Sequence, residues 1–151
     1  MSQSIAQIYL HIVFSTKNRE RWLTGGDTRK RAHAYLAGTF NNLDCPAIEV
    51  GGVEDHVHIL CRLGKTISVA DLIREVTRES SKWIKEQSPR LAGFYWQSGY
   101  GAFSISPADV ERVRAYILNQ EEHHKTVDFQ EEFRRICRKY GVELDERYAW
   151  D

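Results

Sequence analysis

A chain of 151 residues, 42% of them hydrophobic and 28% charged, can bury a core without disulfides or structural metal, and it has no apolar run long enough to span a membrane. Basic and acidic residues balance at 21 each, which excludes broad electrostatic adhesion to nucleic acid as the basis of function. Cys45, Cys61 and Cys137, odd in number and widely spaced, exclude a disulfide framework and a C-x-x-C zinc site.

The opening Met1-Ser2-Gln3-Ser4 has neither the basic nor the apolar region of a secretory signal, so a cytoplasmic location is expected, and the length suits one domain over residues 1–151. Ile8, Leu10, Ile12 and Phe14 alternate with more polar neighbours, predicting a half-buried strand over 8–15. Lys17, Arg19, Arg21, Arg29, Lys30 and Arg31 then form a local basic patch, interrupted only by Glu20 and Asp27; a solvated loop and helix face would look the same.

Asp27 is placed to cap a helix to about Asn42, with Ala32, Tyr35, Leu36 and Phe40 at helical spacing. Residues 45–53 and 56–63 read as two strands joined tightly after Gly51-Gly52. Ser68 opens a capping box before an apolar stripe of Val69, Leu72, Ile73, Val76, Trp83 and Ile84, predicting a helix to about Gln87.

Phe94-Tyr95-Trp96 and Ala102-Phe103-Ser104-Ile105 read as an aromatic strand broken at Ser98-Gly99. Ser106-Pro107-Ala108-Asp109 starts a third helix over about 106–124, and a last helix over about 128–140 stops at Gly141. The order strand, helix, strand, strand, helix, strand, helix, helix predicts an α+β fold of the ferredoxin-like split βαβ type. Its antiparallel sheet has four to five strands, with helices on one face and additional C-terminal helices.

Two features carry chemistry. In Asp55-His56-Val57-His58, histidines two apart on a strand point to one face and can hold a divalent cation if a third ligand arrives from elsewhere. Strand histidines hydrogen-bonded to neighbours show the same spacing. On the third helix, Tyr116 and Gln120 lie four apart, one above the other, with Tyr116 beside the stripe of Val110, Val113 and Ile117. A boundary tyrosine turning its hydroxyl to water fits equally, while a carboxamide at Gln120 is a plausible oxygen ligand.

With Tyr116 and Gln120 downstream, His56-Val57-His58 resembles the metal motif of the single-tyrosine HUH transposases of bacterial insertion sequences. The resemblance spans nearly the whole chain: Leu10 to Arg19 look like that family's first strand and basic exit, and Trp96-Gln97-Ser98-Gly99-Tyr100 like the segment before its tyrosine helix. It implies a single HUH domain in which His56, His58 and Gln120 bind the ion, Mg²⁺ or Mn²⁺, and Tyr116 is the nucleophile.

The implied reaction is DNA transposition: cleavage and rejoining of single-stranded DNA at hairpin-bearing element ends through a 5′-phosphotyrosine, with no nucleotide cofactor. The implied assembly is a homodimer with active sites shared between subunits. Lys17, Arg19 and Arg21 are candidate phosphate contacts, and Trp96 and Tyr100 candidate stacking surfaces for unpaired bases. His123 and His124 read as helix-end histidines at the negative end of the dipole. The competing expectations are a domesticated relative that processes chromosomal repeat hairpins and a non-catalytic ferredoxin-like nucleic-acid-binding module.

Overall fold

The computed structural model describes residues 2–150. Four antiparallel strands, β1 (Tyr9–Ser15), β2 (Ala47–Gly52), β3 (His56–Arg62) and β4 (Gly101–Ile105), form one sheet in the order β2-β3-β1-β4. Helices α1 (Gly26–Asn42) and α2 (Val69–Gln87) complete the predicted split βαβ pattern. Helices α3 (Val110–Leu118), α4 (Gln120–His123) and α5 (Phe129–Lys139) follow.

Alternation along the two central strands divides the buried residues between the faces. Leu10, Ile12 and Phe14 of β1 and Val57, Ile59 and Cys61 of β3 pack in one cluster with Leu36 and Phe40 of α1 and Leu72, Ile73, Val76 and Ile84 of α2. The opposite face is covered by α3 and α5, through Val113 and Ile117 over Leu60 and Ile105 and through Phe129, Ile136 and Cys137 over Val13 and Phe103. His11, His56 and His58 belong to this second, mixed face.

Capping explains several boundaries. Ser68 accepts from Asp71 N at 3.1 Å and Asp128 from Glu131 N at 2.8 Å, so both helices start where an orphan amide is satisfied. Gly141 takes φ 67° just past α5, as a glycine C-prime residue does. The start of α1 differs from expectation: Gly25, at φ 86°, is the N-cap, and Asp27 lies in the first turn.

The predicted aromatic strand is shorter than expected. Only Gly101–Ile105 pair along β1, while Trp96 makes an isolated bridge to Thr16. The buried Trp96 ring meets Phe14 and Phe94 edge-on at 4.9 and 4.8 Å and its indole N–H donates to Ser80 Oγ at 2.9 Å, so side-chain packing joins two backbone hydrogen bonds, Lys17 N to Tyr95 O and Gln97 N to Ser15 O, in holding this segment. Among the described residues no helix is long and apolar enough to cross a membrane.

Two glycines set how closely the second layer approaches. A Cβ at Gly51 would lie 2.5 Å from the Ile117 carbonyl oxygen, and one at Gly101 2.7 Å from the Phe133 ring. Glycine at these positions seats α3 against β2 and α5 against β4.

Candidate metal and tyrosine site

His56 and His58 are fully buried, with their imidazoles on the face under α3 and α5. Burying two imidazoles is costly unless each ring nitrogen finds a partner. His56 Nδ1 hydrogen-bonds Asp55 Oδ1, the acceptor, at 2.7 Å, and His56 Nε2 lies 3.0 Å from Gln120 Oε1 and 3.2 Å from Glu132 Oε1. His58 Nδ1 pairs with His11 Nε2 at 2.8 Å, and its Nε2 with Glu132 Oε1 at 3.0 Å. Asp55 and His11 thus fix the two ring orientations from behind, the usual task of partners to metal-ligating histidines.

Glu132 is the centre of this network. Its Oε1 also faces His124 Nε2 at 2.9 Å, while its Oε2 accepts from Gln120 Nε2 at 3.0 Å and from the Tyr116 hydroxyl. The Tyr116 ring stands 5.7 Å from the His58 ring and 6.1 Å from that of His11. Tyr116, Gln120, His56 and His58 therefore meet within one chain.

The expected single helix over 106–124 is broken at Asn119 into α3 and α4. Tyr116 ends up half-buried and Gln120 fully buried, although a continuous helix would stack them one turn apart.

Electrostatics follow the packing. Burial works against charge on His56, but the hydrogen bonds and charges of Asp55 and Glu132 outweigh it and lift its pKa to about 9. Burial holds His58 below the usual histidine value, assisted by the neighbouring His56 and His124 and opposed by Glu132. Desolvation, with His58 beside it, pushes His11 down to about 3. For Glu132, burial is overcome by His58 and by hydrogen bonds from His124, His56 and His58, leaving the carboxyl well below the usual range and ionised. Burial and the adjacent Glu132 carboxylate raise the Tyr116 hydroxyl far above an ordinary phenol.

Ligand atoms of His56, His58, His124 and Glu132 lie within 4.8 Å of one another. Buried imidazole nitrogens converging on one carboxylate oxygen fit a divalent ion, and the Gln120 carboxamide borders the same space. Beside it a cleft of about 160 Å³ is lined by Tyr116, Glu132 and His123 together with the cations Arg112, Arg135 and Lys139.

A model of the family described as "Transposase IS200 like" matches residues 4–120. The chain belongs to this family. Two solved structures share the transposase's fold. One, from Deinococcus radiodurans R1 and assigned as a transposase, is 16% identical with a TM-score of 0.60, covering 78% of this chain and 93% of that one. The other, a REP-associated tyrosine transposase bound to a REP hairpin, is 14% identical with a TM-score of 0.59, covering 84% and 76%. A search of the curated proteins found no match. Family membership makes the transposase a DNA-processing enzyme of DNA transposition and recombination.

The candidate DNA contacts differ in exposure. Lys17 and Arg21 are exposed, whereas Arg19 donates to the Trp150 carbonyl at 2.9 Å and lies over its ring. Tyr100 is exposed. Trp96 belongs to the core, its ring packed between Phe14 and Phe94, which corrects its expected place as a stacking surface.

Sequence reasoning missed Glu132, His124, His11 and the cations of the cleft. Glu132 had a signal: it falls between Phe129, Phe133 and Ile136 at helical spacing, an acid in the middle of an apolar stripe. His124 does sit at the helix end, as the C-cap of α4, but its side chain is turned inward onto Glu132, a contact its position did not announce.

Proposed function

We propose that this transposase cleaves and rejoins single-stranded DNA, with Tyr116 as nucleophile and His56, His58 and Gln120 holding a divalent ion. The observation that carries this reading is the convergence of the Tyr116 hydroxyl and Gln120 carboxamide on the buried His56 and His58. Buried polar groups that gather four elements at one point, beside an open cationic cleft, are arranged for chemistry rather than packing.

Glu132 orients the Tyr116 hydroxyl and, as an ionised neighbour, keeps it protonated. Asp55 and His11 hold the His56 and His58 rings, and Arg112, Arg135 and Lys139 attract the DNA backbone to the cleft. A divalent ion bound there would offset negative charge on the phosphate and beside the phenol. In the transfer, Tyr116 Oη bonds to phosphorus as the bond from phosphorus to the 3′ oxygen breaks. The phenolic proton ends on the released 3′-hydroxyl, and a 5′-phosphotyrosine remains. Reversal by another 3′-hydroxyl rejoins the strand without a nucleotide cofactor.

A folded hairpin at the element end is the proposed partner, a reading supported by the likeness to a transposase bound to a hairpin. The homodimer is the proposed assembly. In the described conformation the Tyr116 ring lies beside His58 of its own chain, so sharing sites between subunits would require α3 to leave β2.

Incubation with labelled single-stranded element-end DNA and Mn²⁺ should yield a covalent protein–DNA adduct that is lost in Tyr116→Phe. Absence of the adduct in the wild-type protein, or its persistence in the variant, would overturn the assignment.

A further inference from the structure

Two polar side chains in the site lie beyond the family-matched stretch, which ends at Gln120. His124 follows α4 and Glu132 lies within α5. Glu132 is 1% exposed, and its Oε1 faces His124, His58 and His56 Nε2 at 2.9, 3.0 and 3.2 Å. Among the described residues no arginine or lysine bonds this carboxylate; its partners are neutral or titratable groups, three imidazoles at Oε1 and the Tyr116 hydroxyl and Gln120 amide at Oε2.

We propose that His124 and Glu132 are also cation ligands, so that one chain presents three imidazoles, a carboxylate and a carboxamide and takes manganese, cobalt or zinc in preference to magnesium. This inference rests on the metal-dependent function above and deepens it.

The chemistry of the donors decides the selectivity. Imidazole nitrogen suits the later first-row ions, whereas Mg²⁺ seeks oxygen in a near-octahedral shell and gives up water reluctantly. Three of the five donors here are imidazoles in a buried site, which leaves few oxygens for a magnesium ion. The two carboxylate oxygens divide their tasks, Oε1 facing the histidines and Oε2 the Tyr116 hydroxyl and Gln120 amide. Ion and nucleophile are therefore registered against a single side chain.

Calorimetric titration of the metal-free full chain with MnCl2, CoCl2 and MgCl2, with visible absorption of the Co²⁺ form, tests this. One ion should bind per chain, Mg²⁺ in large excess should not bleach the Co²⁺ bands, and His124→Ala and Glu132→Gln should each weaken Mn²⁺ and Co²⁺ binding by about tenfold or more. Circular dichroism confirms that the variants fold, and Glu132→Asp, which keeps the charge, should recover part of the affinity. Binding unchanged in both folded variants but lost in His56→Ala/His58→Ala overturns this inference and leaves the three-ligand reading standing. Ready displacement by Mg²⁺ overturns the selectivity, and failure of the wild-type chain to bind any of the three ions overturns both readings.

Discussion

The two faces of the sheet are buried alike and built differently. On β3, Val57, Ile59 and Cys61 point into the layer of α1 and α2, while His56, His58 and Leu60 point toward α3 and α5, and all six are fully buried. The first face stabilises by removing apolar surface from water and filling space. On the second, the desolvated imidazoles of His11, His56 and His58 and the Glu132 carboxylate are tolerated because they partner one another. The same strand thus carries an apolar ledge on one side and a polar one on the other.

Breaking the apolar face should have the largest effect. Ile59→Ala leaves a cavity in the main cluster and should cost about 2–5 kcal/mol in chemical unfolding, without altering cleavage per folded molecule. A stability loss near zero would mean that the cluster is not the core.

The polar face should make stability depend on pH. His11 is held at about 3 against about 6.5 in an unfolded chain, so between those values the unfolded state binds more protons and stability falls as pH falls. His56, raised to about 9, contributes fully below about 6.5 and loses its contribution as pH rises through about 9. Urea unfolding of metal-free protein should therefore show a maximum near neutrality, and His11→Gln should flatten the acid limb. A profile flat from pH 4 to 9 would remove the contrast between the faces.

The smallest effect sharpens the outer edge of the same face. Arg112→Ala and Lys139→Ala should each reduce the slope of log affinity for single-stranded DNA against log salt by about 0.7, as expected for one lost phosphate contact. Lys17→Ala or Arg21→Ala having the larger effect would move the DNA path back to the basic loop.

Much of the fold was legible because local rules and tertiary packing agree. The alternation of β1, the Ser68 cap and the Asp128 to Gly141 helix each satisfy local and long-range demands together. Trp96 misled because aromatic β propensity reflects a half-buried surface as much as strand pairing, and here the ring fills the core beside an irregular backbone. The break at Asn119 has no proline or glycine to announce it. For the site, spacing alone could register His56 with His58 and Tyr116 with Gln120. His11 and Glu132 were invisible as partners because they come from sequence positions 47 and 74 residues from His58, joined to it only by strand register and helix docking.

The second layer also has a consequence for how the site is lost. Tyr116, Gln120, His124 and Glu132 all come from one contiguous stretch laid over the strands, held by two clusters much smaller than the one beneath α1 and α2. Lifting that stretch would separate four groups from the histidines in one cooperative opening while the rest of the chain stays folded. The proposed centre is therefore expected to have its own opening equilibrium, and amide hydrogen exchange in α3 to α5 would report when it is assembled, independently of whether the protein is folded.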